Sequence, residues 1–145
     1  EQALRDARVL TIFEGTTGMQ AQDLLLRRLL KGGESYRAFV SVAKADAPAC
    51  PALAALEATA ARLSDPALSR TDLEAAATSF LSLATLAAQA WAAARLIAHA
   101  DDSPEANHLA AAAQYILSDI ASRAEFAAKQ VLPDAGRLAR FGDLL

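Results

Sequence analysis

The residues best able to do chemistry lie together near the start of the chain, in the tract Phe13-Glu14-Gly15-Thr16-Thr17-Gly18. A carboxylate beside an aromatic ring, if it is held apart from water, has a raised pKa and becomes a stronger base toward a weakly acidic C–H bond. Gly15 and Gly18 let a ligand approach the backbone closely, while hydroxyls and free amides at a helix start favour phosphate and other anionic groups. The same residue types also build an ordinary helix–loop–helix connection, with Glu14 solvated, glycine at a helix end and threonine capping the next helix. Residue types alone leave both readings open.

Elsewhere the candidates are weaker. His99 and His108, the two histidines, flank Asp101-Asp102. Their spacing suits helix ends better than a metal: His99 falls in the last turn of one helix, where a cation complements the dipole, and His108 in the first turns of the next. No metal site is expected. The single cysteine, Cys50, sits in Pro48-Ala49-Cys50-Pro51, has no internal disulfide partner and no histidine near it in sequence, and reads as an incidental loop residue in a reducing, cytoplasmic setting. Glycine-rich phosphate loops, CxxC pairs and HExxH are absent. The formal net charge of -3 comes with both signs interspersed, which leaves no basic stripe for a phosphate backbone, so nucleic acid is not an expected partner. The alanine-rich runs are expected to be broken by Asp, Glu, Arg or Gln before about 18 residues, too short to cross a bilayer, so no transmembrane span is expected.

The elements that must position these residues are helical. About a quarter of the 145 residues are alanine, leucine is next, and glycine, proline and β-branched residues are sparse. That mixture predicts an all-α fold, an antiparallel bundle of about five to seven helices. A short first helix is expected over Ala3–Phe13 from Leu4, Ala7, Leu10 and Thr11, and a second from Met19 to about Lys31, closed by Gly32-Gly33. A weaker helix follows near Tyr36 to Ala45, with Phe39, Val40 and Ala43 on one side. Pro51 opens the next, which carries Leu53, Leu56, Ala60 and Leu63 and ends near Ser64-Asp65-Pro66. Thr71-Asp72-Leu73-Glu74 has the form of a capping box at the start of a long helix, with a seam of Leu73, Ala77, Phe80, Ala84, Ala87, Trp91, Ala94 and Ala98. A second long helix starts after Asp101-Asp102-Ser103-Pro104. Its stripe is Leu109, Ala113, Ile116, Ile120, Ala124, Ala127 and Val131, with Pro133 at its end and a short terminal helix holding Leu138 and Phe141. The two long helices should pack antiparallel, with Phe80, Trp91 and Phe126 filling gaps between small residues.

The run Arg5-Asp6-Ala7-Arg8, then Thr11-Ile12-Phe13-Glu14-Gly15-Thr16-Thr17-Gly18-Met19-Gln20, resembles the C-terminal signature of the acyl-CoA dehydrogenases. The resemblance implies a flavoprotein in which Glu14 takes the α-proton of an acyl-CoA while a hydride leaves the β-carbon for FAD. It further implies that Gly15 lies against the substrate thioester and that Thr16, Thr17 and Gly18 contact the flavin dinucleotide. Many relatives carry a larger polar residue at the position of Gly18, so a side-chain contact to the cofactor is lost here. Arg5, Asp6 and Arg8 are given no part beyond ion pairing. Trp91, Phe126, Lys129 and Val131-Leu132-Pro133 are similar to an appended C-terminal helical domain of the longer bacterial members. The implied division is therefore residues 1–34 as terminal helices of the catalytic domain and 35–145 as the appended domain, covering an inter-subunit surface. The implied partners are an acyl-CoA substrate and an electron-transfer flavoprotein, with a homodimeric or homotetrameric assembly. A start at Glu1, directly in helical sequence, is expected of a piece of a longer chain, inactive alone. The competing expectation is a non-catalytic helical module that acts by oligomerisation.

Overall fold

Leucine and alanine at spacings of three and four dictate helices with one apolar side, and such sides can be buried only against one another. In the computed structural model, which describes residues 17–131 together with Gln2 and Arg5, every element among the described residues is helical. They are α1 (Thr17–Gln22), a π-helical segment π1 (Asp23–Gly32), α2 (Glu34–Asp46), α3 (Pro51–Leu63), α4 (Arg70–Ala98) and α5 (Pro104–Val131). The all-α bundle read from the sequence is the fold found. The helix expected over residues 3–13, apart from Arg5, and the one expected to hold Leu138 and Phe141 lie outside the described residues.

Helices α4 and α5 share the most extensive interface, and α3 packs on both. At 1.5 Å per residue each of the long helices runs for about 40 Å. They are joined by the short turn 99–103, in which Ser103 N–H donates to Asp101 Oδ1 (2.9 Å) and Ser103 Oγ accepts from Ala106 N–H (3.2 Å). The largest fully buried side chains are Phe80, Leu25, Leu53, Leu56, Leu63, Leu83 and Ile120. Removing each of these from water contributes about 1.5–3 kcal/mol. Ala21 and Leu25 belong to the same core as residues of α3, α4 and α5. Buried Ala76, Ala87, Ala90 and Ala124 let the helix axes approach closely.

Several expectations are corrected. The cap of α4 is Ser69, two residues earlier than read: its Oγ accepts from Asp72 N–H (3.1 Å), and Asp72 Oδ2 accepts from Ser69 N–H (3.2 Å). Glu74, assigned to that box, instead accepts from Arg70 one turn back. The buried side of α4 is rotated toward Ala76, Leu83, Leu86, Ala90 and Ala93, so that Ala98 is exposed and Leu73, Ala84, Trp91 and Ala94 are half-buried. On α5, Leu109, Ile116 and Phe126 point outward while Ala113, Ile120, Ala124, Ala127 and Val131 are buried. Phe126, at 63% exposed, fills no gap. The second helix is not one α-helix from Met19, because Asp23–Gly32 takes π-helical winding; Gly33 N–H donates to Arg28 O (2.9 Å), and Gly33 closes the segment with φ 71°. Gln89 interrupts the apolar run of α4 after residues 75–88, as expected, but the helix as a whole is still strongly apolar. Between Glu74 and Arg95 α4 carries no charge, and an 18-residue window there reaches a mean hydropathy of 1.4, so by length and composition alone this helix could cross a bilayer. Ser, Thr and a lone Gln89 carry too little polarity to offset so many alanines and leucines.

Candidate functional site

Of the tract singled out by its chemistry, Glu14, Gly15 and Thr16 lie outside the described residues. Thr17 and Gly18 open α1, and both are exposed. Ala21, fully buried one turn further on, anchors this short helix against α4. A Cβ placed on Gly18 would meet nothing within 4 Å, so local packing does not require glycine there.

The surface beside Thr17 and Gly18 is a shallow depression of about 480 Å³ lined by Met19, Gln20, Asp23, Leu24 and Arg28. Met19 is 72% exposed. Asp23 is bound by two cations: Arg27 Nε pairs with Oδ1, and Arg28 Nε donates to Oδ2 (3.3 Å). The Arg27 guanidinium, with Arg28 assisting, holds the Asp23 carboxyl below the usual carboxylate range. The carboxylate is therefore ionised and fully partnered, poorly suited to accept a proton from a carbon acid.

A second depression, about 580 Å³, lies where α4 ends and α5 begins, lined by Trp91, Ala92, Arg95, Leu96, His99 and Leu109 among others. Its floor is fixed by a cluster that sequence reasoning missed. Trp91 Nε1–H donates to Asp46 Oδ2 (2.7 Å), Arg95 Nη1 lies 3.4 Å from the same oxygen, and the guanidinium sits 5.5 Å from the Trp91 ring centroid. Phe39 meets Trp91 edge-on at 5.7 Å and 87°. Arg95 four residues after Trp91 was a visible signal, whereas Asp46 is brought in from α2 by tertiary packing alone. His99, at the end of α4, lines this depression and His108 does not. Among the described residues no group of three or more His, Cys, Asp or Glu side chains could hold a metal ion. Cys50 is a half-buried free thiol at the N-cap of α3.

No model of a known protein family matches the chain, and no solved structure matches it. Over 42 residues it is 52% identical to 3-methylmercaptopropionyl-CoA dehydrogenase of Ruegeria pomeroyi, a stretch that makes up 28% of this chain and 7% of that enzyme. The chain thus spans only a small part of the length of the relative it matches. That partial similarity points to the acyl-CoA dehydrogenase family.

Proposed function

We propose that this chain is the C-terminal part of a flavin-dependent acyl-CoA dehydrogenase that oxidises an acyl-CoA to its 2-enoyl form. The observation that carries the reading is the 52% identity over 42 residues to an enzyme named for such a dehydrogenation. The tract from Arg5 to Gln20, with the order and spacing of the family signature, supports the same reading. Following the relative's name, a short thioether-bearing acyl-CoA is the first substrate class to try.

In this reading Glu14 removes the proton from the carbon next to the thioester carbonyl, and the C–H electron pair becomes part of the new double bond as the β-carbon loses a hydride. FAD, when bound, supplies the acceptor for that hydride, and an electron-transfer flavoprotein later collects the electrons. Glu14 can act only if it is desolvated, since burial brings its pKa toward that of the thioester-activated C–H. Gly15 lets the thioester lie against the backbone, where no side chain intervenes. Thr16, with Thr17 and Gly18 at the open start of α1, would hold the flavin dinucleotide; the exposure of Thr17 and the free space at Gly18 are compatible with this. The division into residues 1–34 and an appended 35–145 belongs to the same proposal.

The test is Glu14→Gln in the intact protein, assayed by dye reduction with acyl-CoA substrates of differing chain length. Loss of a general base is expected to lower kcat by roughly 10²–10⁴-fold while flavin absorbance is retained. Undiminished turnover with the glutamine variant would remove the assignment. The isolated chain, tested the same way, should show no turnover.

A further inference from the structure

The depression where α4 ends and α5 begins takes no part in the acyl-CoA dehydrogenase reading, and its lining has a chemistry of its own. Its volume of about 580 Å³ lies within the range of small-molecule sites, roughly 300–1,000 Å³. Leu96 from α4 and Leu109 from α5 line it, 50% and 57% exposed, and Ala106 adds to the apolar wall. Leucines left outside a helical core but gathered in one concave place form a surface that the apolar body of a ligand can cover.

The polar groups there are few and of one kind. Among the described residues, Arg95 and His99 are the ionisable side chains that line the depression, and no carboxylate lines it. Asp101, Asp102 and Glu105, close by in sequence, are exposed and lie outside the lining. Arg95 is held in place from two directions: Asp46 Oδ2 lies 3.4 Å from Nη1, and the Trp91 ring centroid lies 5.5 Å from the guanidinium carbon. A guanidinium carries five N–H donors in a rigid fork, so one contact at Nη1 leaves the other edge for a second carboxylate. With its side chain 47% exposed, Arg95 can present that edge to a ligand. His99, exposed one turn further along α4, offers an imidazole N–H on the same side of the helix. An apolar trough with donors and no acid matches a molecule that has an aliphatic body and an anionic head, whereas a cationic head would be set against Arg95.

We propose that this depression binds a small aliphatic carboxylate, its chain along Leu96 and Leu109 and its carboxylate on Arg95 and His99. The inference does not rest on the dehydrogenase reading. Trp91 lines the depression and is the sole tryptophan of the 145-residue chain, so its fluorescence reports on this place alone. Octanoate titrated into the chain is expected to shift that emission with a Kd of about 1 mM or tighter, a modest affinity for a ligand of its size. Octan-1-ol and octylammonium, which share the body but not the head, should bind about tenfold more weakly or worse. Arg95→Gln and Leu109→Glu, both at exposed positions, should each weaken octanoate about tenfold or more by calorimetry while leaving the circular dichroism unchanged. Ile116→Glu, on the same helix as Leu109 but outside the depression, should leave the Kd as it is. The proposal is overturned if Trp91 emission does not respond up to about 10 mM octanoate, or if octan-1-ol binds as tightly as octanoate. It is equally overturned by a Kd indifferent to Arg95→Gln and Leu109→Glu, or one that Ile116→Glu weakens as much as they do.

Discussion

Phe80 and Phe126 are the same residue in two long neighbouring helices, and truncating each to alanine should have very different effects. Phe80 is 1% exposed and lies in the core shared by α3, α4 and α5. Phe80→Ala loses the transfer free energy of the ring and leaves a cavity in a tightly packed bundle, for a total of about 3–5 kcal/mol. Phe126 is 63% exposed, so only about a third of the 1.5–3 kcal/mol available from burying a phenylalanine is at stake, roughly 0.5–1 kcal/mol. The better helix propensity of alanine returns about half a kcal/mol at that exposed position. Phe126→Ala is therefore expected to change stability by less than about 0.5 kcal/mol. Urea unfolding followed by circular dichroism measures both, at a protein concentration low enough to dissociate any dimer. For a chain of this size each kcal/mol moves Tm by roughly 2–4 °C, so the Phe80 variant should melt about 10 °C lower. A Phe80→Ala cost below about 1 kcal/mol, or a Phe126→Ala cost above about 2 kcal/mol in the monomer, would refute the packing described here.

Ser69→Ala should cost about 1 kcal/mol by removing the hydroxyl that caps α4, whereas Thr71→Ala should stay within about 0.5 kcal/mol; thermal melts of the two variants compare them directly. Gly33→Ala is expected to destabilise by about 1–2 kcal/mol, because φ 71° is strained for any residue with a Cβ, while Gly18→Ala, in a helix with open space around it, should be neutral or slightly stabilising. Burial, with Glu57 assisting, pushes the Tyr36 phenol up to about 12. The folded state therefore favours the neutral phenol, and its contribution to stability is intact below the unfolded value of 10.0 and is lost as pH climbs from there toward 12. Ultraviolet titration of phenolate should show this late step, and Tyr36→Phe should flatten the alkaline loss of stability.

Much of the fold was legible because leucine and alanine spacing carries helical information directly. Leu53, Leu56, Ala60 and Leu63 were read as one buried side and are all buried, and Gly33 was read as a helix end and adopts the left-handed conformation. What failed depended on competition between local and tertiary forces. Ser69 and Thr71 are both adequate caps, each with a carboxylate three residues on (Asp72 and Glu74), so spacing could not choose between them; the helix begins at Arg70, which gives the box to Ser69 and Asp72. The two sides of α5 differ little in hydropathy, so Ile116 and Phe126 could not be separated from Ile120 and Ala124 by periodicity. Nothing in residues 23–32 announces π-helical winding. The depression lined by Trp91 and His99 depends on Asp46, brought close by folding. For the candidate chemistry, Thr17 and Gly18 were placed by their residue types at a helix start, which is where they stand.

Gly33, Arg28 and the winding between Asp23 and Gly32 limit what kind of mutation this region accepts. Each turn there holds about one more residue than an α-turn. Exchanging one side chain for another keeps that number, but deleting one codon does not. A deletion would draw the segment toward tighter coiling and rotate everything upstream by about 100° per residue, turning Ala21 and Leu25 out of the core. Length variation among natural sequences should accordingly collect in turns such as 99–103 and avoid this stretch.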